Sequence, residues 1–135
     1  MVFISLKLYE AGGTFILDSK LAFKKIKMTD ATFSTNNLDA SIDNVLVCLE
    51  KYNTNQFIFQ SRTSQAQNTL YLADVPVIKG TPFSFSPVAM SPPDYQDEET
   101  QFTRYLKFQI KKDNGEQLSN AEWGSSVCQL ILNFE

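Results

Sequence analysis

The sequence predicts an all-β fold: an antiparallel β-sandwich of about eight strands, jelly-roll-like in its general plan, with little helix. Two observations carry this. Apolar and polar residues alternate with a period of two in several separate segments, the signature of strands with one buried face. No stretch long enough for a helix sets apolar side chains at i, i+3, i+4 and i+7 between capping residues. Antiparallel strands with one apolar face each bury those faces by packing two layers together.

Residues 2–9 open the chain, with Val2, Ile4, Leu6 and Leu8 on one side and Ser5 and Lys7 on the other. Glu10, Ala11, Gly12 and Gly13 supply turn residues, so a hairpin or tight connection is expected before the β-branched and aromatic run at 14–17. Within residues 21–28 the apolar side changes parity between Phe23 and Ile26, as a β-bulge at Lys24 and Lys25 produces. Residues 45–49 are apolar on both parities, which suits a central strand covered on both faces. Strands are also expected at 57–59, 70–72 and 75–77, with Pro76 at an edge, an end or a bulge because it lacks a ladder donor.

Residues 80–101 interleave Gly80, Pro82, Pro87, Pro92 and Pro93 with serines and then acids, and read as a long exposed loop. Residues 105–111 alternate cleanly, with Leu106, Phe108 and Ile110 inward. Asn114 and Gly115 follow as the expected tip of a two-residue type I′ hairpin. In the last strand, 127–134, Cys128, Leu130, Leu132 and Phe134 face the core and Gln129 and Asn133 face away.

A length of 135 residues matches one domain, residues 1–135, with a core that needs no metal or disulfide. Cys48 and Cys128 both sit in apolar runs and read as small buried hydrophobes. The first residues lack a basic region and a small-residue cleavage site, so no signal peptide is expected, and synthesis inside the cell fits better. With a formal net charge of −3 the chain has no strong positive field, so nucleic acid is not expected as a partner, and the opening apolar segment is too short for membrane insertion to be expected.

Histidine is absent, which removes the commonest general base and transition-metal ligand. No glycine-rich phosphate loop follows a strand. The acids Asp94, Asp97, Glu98 and Glu99 lack the ligand spacing of a calcium loop and read as a solvated face. The expectation is therefore no enzyme, no metal and no cofactor. Lys24, Lys25 and Lys27 read as the guard of a strand edge. The candidate partner-binding residues are Phe83, Phe85 and Pro87, in a segment without strand alternation, and Trp123, just before the last strand. For the two phenylalanines, folding back onto the core is an equal alternative. For Trp123, core packing with its N–H on a loop carbonyl is favoured over contact.

Several segments resemble one family. Leu21-Ala22-Phe23-Lys24-Lys25-Ile26-Lys27-Met28 with Ala31-Thr32-Phe33-Ser34, the middle run Asn68-Thr69-Leu70-Tyr71-Leu72-Ala73-Asp74-Val75-Pro76-Val77, and the closing 106–118 hairpin with Glu122-Trp123 and residues 127–134 are similar to small β-sandwich proteins of Polinton-, adintovirus- and virophage-like DNA elements. The resemblance implies a virion structural part: a minor capsid, vertex or spike component that forms a homo-oligomer and docks onto other virion proteins. The chain is short for a shell-forming capsid protein. A rival reading of the same fold is a recognition module that holds a host receptor, a peptide or a carbohydrate in its loops.

Overall fold

The computed structural model describes residues 1–50, 58–59, 66–67, 69–86 and 95–135. These residues make strands β1 (Val2–Leu8), β2 (Gly12–Thr35), β3 (Asn44–Glu50), β4 (Ile58–Phe59), β5 (Ala66–Gln67), β6 (Thr69–Pro76), β7 (Phe83–Phe85), β8 (Tyr95–Lys111) and β9 (Val127–Phe134) and one helical turn, α1 (Asn120–Trp123). The strands pair antiparallel throughout, and the fold is all-β as expected. Seven strands form one sheet in the order β1-β9-β2-β8-β3-β6, with β7 also paired to β2, while β4 and β5 pair with each other.

Strand β2 gives this sheet its curl. Its first part, Gly12 to Ile26, pairs with β8 on one edge, and its second, Ile26 to Thr35, pairs with β9 on the other. Beyond β8, the short β7 takes over the first edge, setting Phe83 opposite Phe33 and Phe85 opposite Ala31. One half of the sheet is therefore β1, β9, the second part of β2 and β7. The other half is the first part of β2, then β8, β3 and β6. Their inward side chains form one sandwich-like core that includes Leu8, Met28, Phe33, Val45, Leu72, Ile110, Leu130 and Phe134.

The predicted bulge lies where β2 changes partner. The backbone N–H groups of Lys24 and Lys25 both donate to the Glu135 carbonyl, at 2.7 and 2.9 Å, and the Glu135 N–H returns to the Lys25 carbonyl at 2.8 Å. Two residues thus face one, and Phe23 and Ile26 both turn inward although they are three positions apart. A second irregularity, between Ile16 and Leu21, falls on Asp18, Ser19 and Lys20. That polar interruption made 14–17 and 21–28 read as two strands, whereas they are parts of one.

Strand β3 is central, between β8 and β6, as expected. A register shift between Val47 and Cys48 adds to the reason for its unbroken apolar run, since Val45, Val47, Cys48 and Leu49 are all buried. Pro76 closes the edge strand β6, where its missing N–H leaves no ladder bond unmade inside the sheet. The connection at residues 9–11 is the tight one rather than a hairpin, because β9 lies between β1 and β2.

Two expectations need correction. The segment 80–101 is not one long loop: Phe83–Phe85 is β7, and β8 begins at Tyr95, ten residues before the clean alternation. Pairing with residues 21–26 of β2 holds that polar stretch extended, which intrinsic pattern does not reveal. The turn after β8 is not a two-residue type I′ loop. The Gly115 N–H donates to the Lys112 carbonyl at 2.9 Å, and the Lys112 N–H donates to the Glu116 carbonyl at 2.8 Å. Asp113 and Asn114 are thus its central residues, and Gly115 follows at φ 86° as the positive-φ bulge residue of a three-residue loop.

That loop leads into α1 through a capping box. Glu122 N–H donates to the Ser119 hydroxyl at 3.2 Å, and Ser119 N–H donates to the Glu122 carboxylate at 3.0 Å. The backbone hydrogen bond from Ser119, then the bond from Lys112 at 3.0 Å, hold the Glu122 carboxyl below its ordinary value. This contribution is present above the ordinary value of 4.5 and is lost as pH falls through the depressed one.

Gly115→Val should destabilise the protein by about 1 kcal/mol or more, because a β-branched residue is strained at positive φ. Thermal melting checks this, and an unchanged midpoint contradicts the loop. Ser119→Ala should cost about 1 kcal/mol through loss of the cap, measured by urea denaturation.

Candidate docking surface

Of the four sequence-predicted contact residues the structure describes three. Phe83 is buried at 7% exposure and stacks on Phe33, with ring centroids 4.9 Å apart and planes 12° from parallel. Phe85 is half-buried against the same core. Pro87 lies outside the described residues. Trp123 is 2% exposed, tilted against Phe33 at 5.8 Å, and its Nε1–H donates to the Tyr9 carbonyl at 2.9 Å. A ring enclosed in this way has no face left for a partner, so Phe83 and Trp123 are core residues rather than contact residues, for Trp123 the favoured reading and for Phe83 one of two equal ones. The reason is register: β7 pairs with β2 so that both of its phenylalanines point inward.

The other singled-out groups also find places. Cys48 and Cys128 are free and buried, and burial pushes each thiol up to about 12. They stay protonated at neutral pH and act as small hydrophobes. Asp97, Glu98 and Glu99 fall on β8, and Asp94 lies outside the described residues. Among the described residues no group of acids and thiols is arranged to hold a metal. Lys24 is exposed and Lys25 and Lys27 are half-buried along the bulged part of β2.

A polar cleft of about 300 Å³ opens where the loop before β3 faces the turn after β8, lined by Ser41, Asp43, Asn44, Lys112, Asp113 and Glu122 among others. Its charges are largely matched internally. Asp43 pairs with Lys79 at 2.7 Å, and Lys112 bridges Glu116 at 3.6 Å and Glu122 at 3.0 Å.

One exposed apolar surface lies elsewhere. On the outward face of β2 and β8, Ile16 stands opposite Tyr105 and Ala22 opposite Phe102. Ile16 is 71% exposed, Phe102 60% and Tyr105 51%. An irregularity at Arg104 places both aromatics outward. Thr103 is buried and its hydroxyl turns back on the backbone of Tyr105, donating to the carbonyl at 2.7 Å and accepting the N–H at 3.1 Å. Without that offset Thr103 and Tyr105 would share a face. Polar groups rim the patch: Arg104 donates to the Asp18 carbonyl at 3.2 Å, and Lys107 pairs with Glu50 at 3.0 Å. An apolar cluster framed by polar groups is the pattern of an interaction site. Sequence reasoning missed it because Phe102 and Tyr105 are three apart, a spacing that strict alternation assigns to opposite faces.

No family model matches the chain, and no curated protein matches it.

Phe83→Ala should cost about 3 kcal/mol or more of stability as a core truncation. Trp123→Phe should cost about 1 kcal/mol for the lost hydrogen bond. Both are measured by urea denaturation, and a Phe83 variant of wild-type stability would return that ring to the surface.

Proposed function

We propose that the chain is a non-enzymatic virion structural protein, a minor capsid, vertex or spike component that acts by self-assembly and by docking onto other virion proteins. The supporting observation is the polar-rimmed trio Ile16, Phe102 and Tyr105, left outward on a sheet whose opposite face carries the core. Keeping large apolar side chains in water opposes solubility, and covering them against a partner recovers roughly 1.5 to 3 kcal/mol for each ring or branched chain fully buried. The resemblance of residues 21–34, 70–77 and 106–123 to virion proteins of Polinton-, adintovirus- and virophage-like elements supplies the kind of partner.

A second reading, a recognition module for a peptide, a carbohydrate or a host receptor, is favoured by the polar cleft at Ser41, Asp43, Asn44 and Asp113. It differs in where a partner would sit.

The double variant Phe102→Ser/Tyr105→Ser should keep the wild-type melting temperature, since both rings are exposed, and should lose incorporation into particles isolated from the source and imaged by electron microscopy. Wild-type protein absent from those particles, or a double variant incorporated as well as wild type, contradicts this function.

A further inference from the structure

Several edges of the described sheet are unpaired, and those of β2, β6, β7 and β8 carry devices that discourage pairing, the last having Asp97, Glu98 and Glu99 in the stretch 95–107 of its unpaired edge. The first part of β2 contains Gly12 and Gly13, an irregularity at residues 17–20 and the exposed Lys20. Strand β6 carries Asp74 and ends in Pro76, and β7 is three residues long. Strand β1 differs. Its seven residues pair with β9 in unbroken register, Val2 with Phe134 through Leu8 with Cys128. It contains no Gly, Pro or acid, and its single charge is Lys7.

Burial along its inward side is also incomplete. Leu6 and Leu8 are buried, Ile4 is half-buried and Val2 is exposed, so cover fades toward one end. An antiparallel copy of the same strand runs the opposite way, setting its well-covered end against the poorly covered end of this one.

We propose that β1 is a self-association edge: two copies of the chain pair β1 with β1 antiparallel about a two-fold axis at Ser5, joining their sheets into one. This rests on the assembly reading above and names the second copy as the partner. Two constraints fix the register. Inward residues must meet inward residues, so the two numbers of each pair sum to an even value. Full overlap of residues 2–8 then requires Ser5 opposite Ser5, Ile4 opposite Leu6 and Val2 opposite Leu8. On the outward face Lys7 meets Phe3 of the second copy rather than another lysine, so no like charges are opposed. Phe3, 59% exposed, gains the Lys7 alkyl chain as cover.

The test is analytical ultracentrifugation with two substitutions at the exposed Ser5. Wild type should sediment as a dimer. Ser5→Lys sets two ammonium groups face to face on the axis and should weaken the dimer by about tenfold or more with an unchanged melting temperature. Ser5→Cys should give a disulfide-linked dimer on non-reducing gels, and the control Gln129→Cys, exposed on β9 away from the axis, should not. Wild type that stays monomeric, a Ser5→Lys variant as dimeric as wild type, or Ser5→Cys that fails to cross-link, each overturns the proposal. Particle incorporation of Ser5→Lys reads the other surface: a monomeric variant still incorporated leaves docking through Phe102 and Tyr105 standing, while a dimeric wild type absent from particles removes docking and leaves the β1 pairing.

Discussion

The exchange of partners along β2 is the constraint on which the rest of the structure depends. One strand of 24 residues serves β8 with its first part and β9 with its second, and it must bend to do so. The bulge at Lys24 and Lys25 supplies the bend and spares both N–H groups by giving them a shared acceptor, the Glu135 carbonyl. Because the extra residue restores inward parity, Phe23 and Ile26 both enter the core, and Phe23 meets Phe134 edge to face at 5.2 Å. The partner exchange and the joining of the two halves' cores therefore happen at one place.

The far end of β2 is fixed by side chains. Phe33 packs against both Phe83 and Trp123, which links β7 and α1 to β2. Beyond it, Asn36 donates to the Ile78 and Thr81 carbonyls at 2.7 and 2.9 Å, and the Asn37 N–H donates to the Ser126 hydroxyl at 2.8 Å. The chain passes so close here that a Cβ on Gly124 would collide with the Asn37 carbonyl oxygen, and Gly124 holds φ 64°. One end of the molecule is thus a network of short polar loops, while the apolar patch occupies a sheet face.

The antiparallel β class, the inward residues of β1, β8 and β9, the bulge at Lys24 and the loop-carbonyl partner of Trp123 were legible because each rests on local alternation or on one side chain's chemistry. The extent of β8 was not, since residues 95–101 carry no apolar face and are held extended by pairing with β2, a distant segment. The inward turn of Phe83 follows from β7 pairing with β2 across about fifty residues, which no local pattern encodes. The outward pair Phe102 and Tyr105 was hidden by the offset at Arg104. The helical turn was legible and overlooked: Ser119-Asn120-Ala121-Glu122 is a capping-box sequence before an aromatic residue.

Trp123 has one more consequence. As the single tryptophan it touches the second part of β2 through Phe33 and the end of β1 through the Tyr9 carbonyl. Its fluorescence is therefore a built-in optical reporter of whether α1 stays docked against both. Its colour tracks entry of water at that seam alone, while circular dichroism averages over every strand.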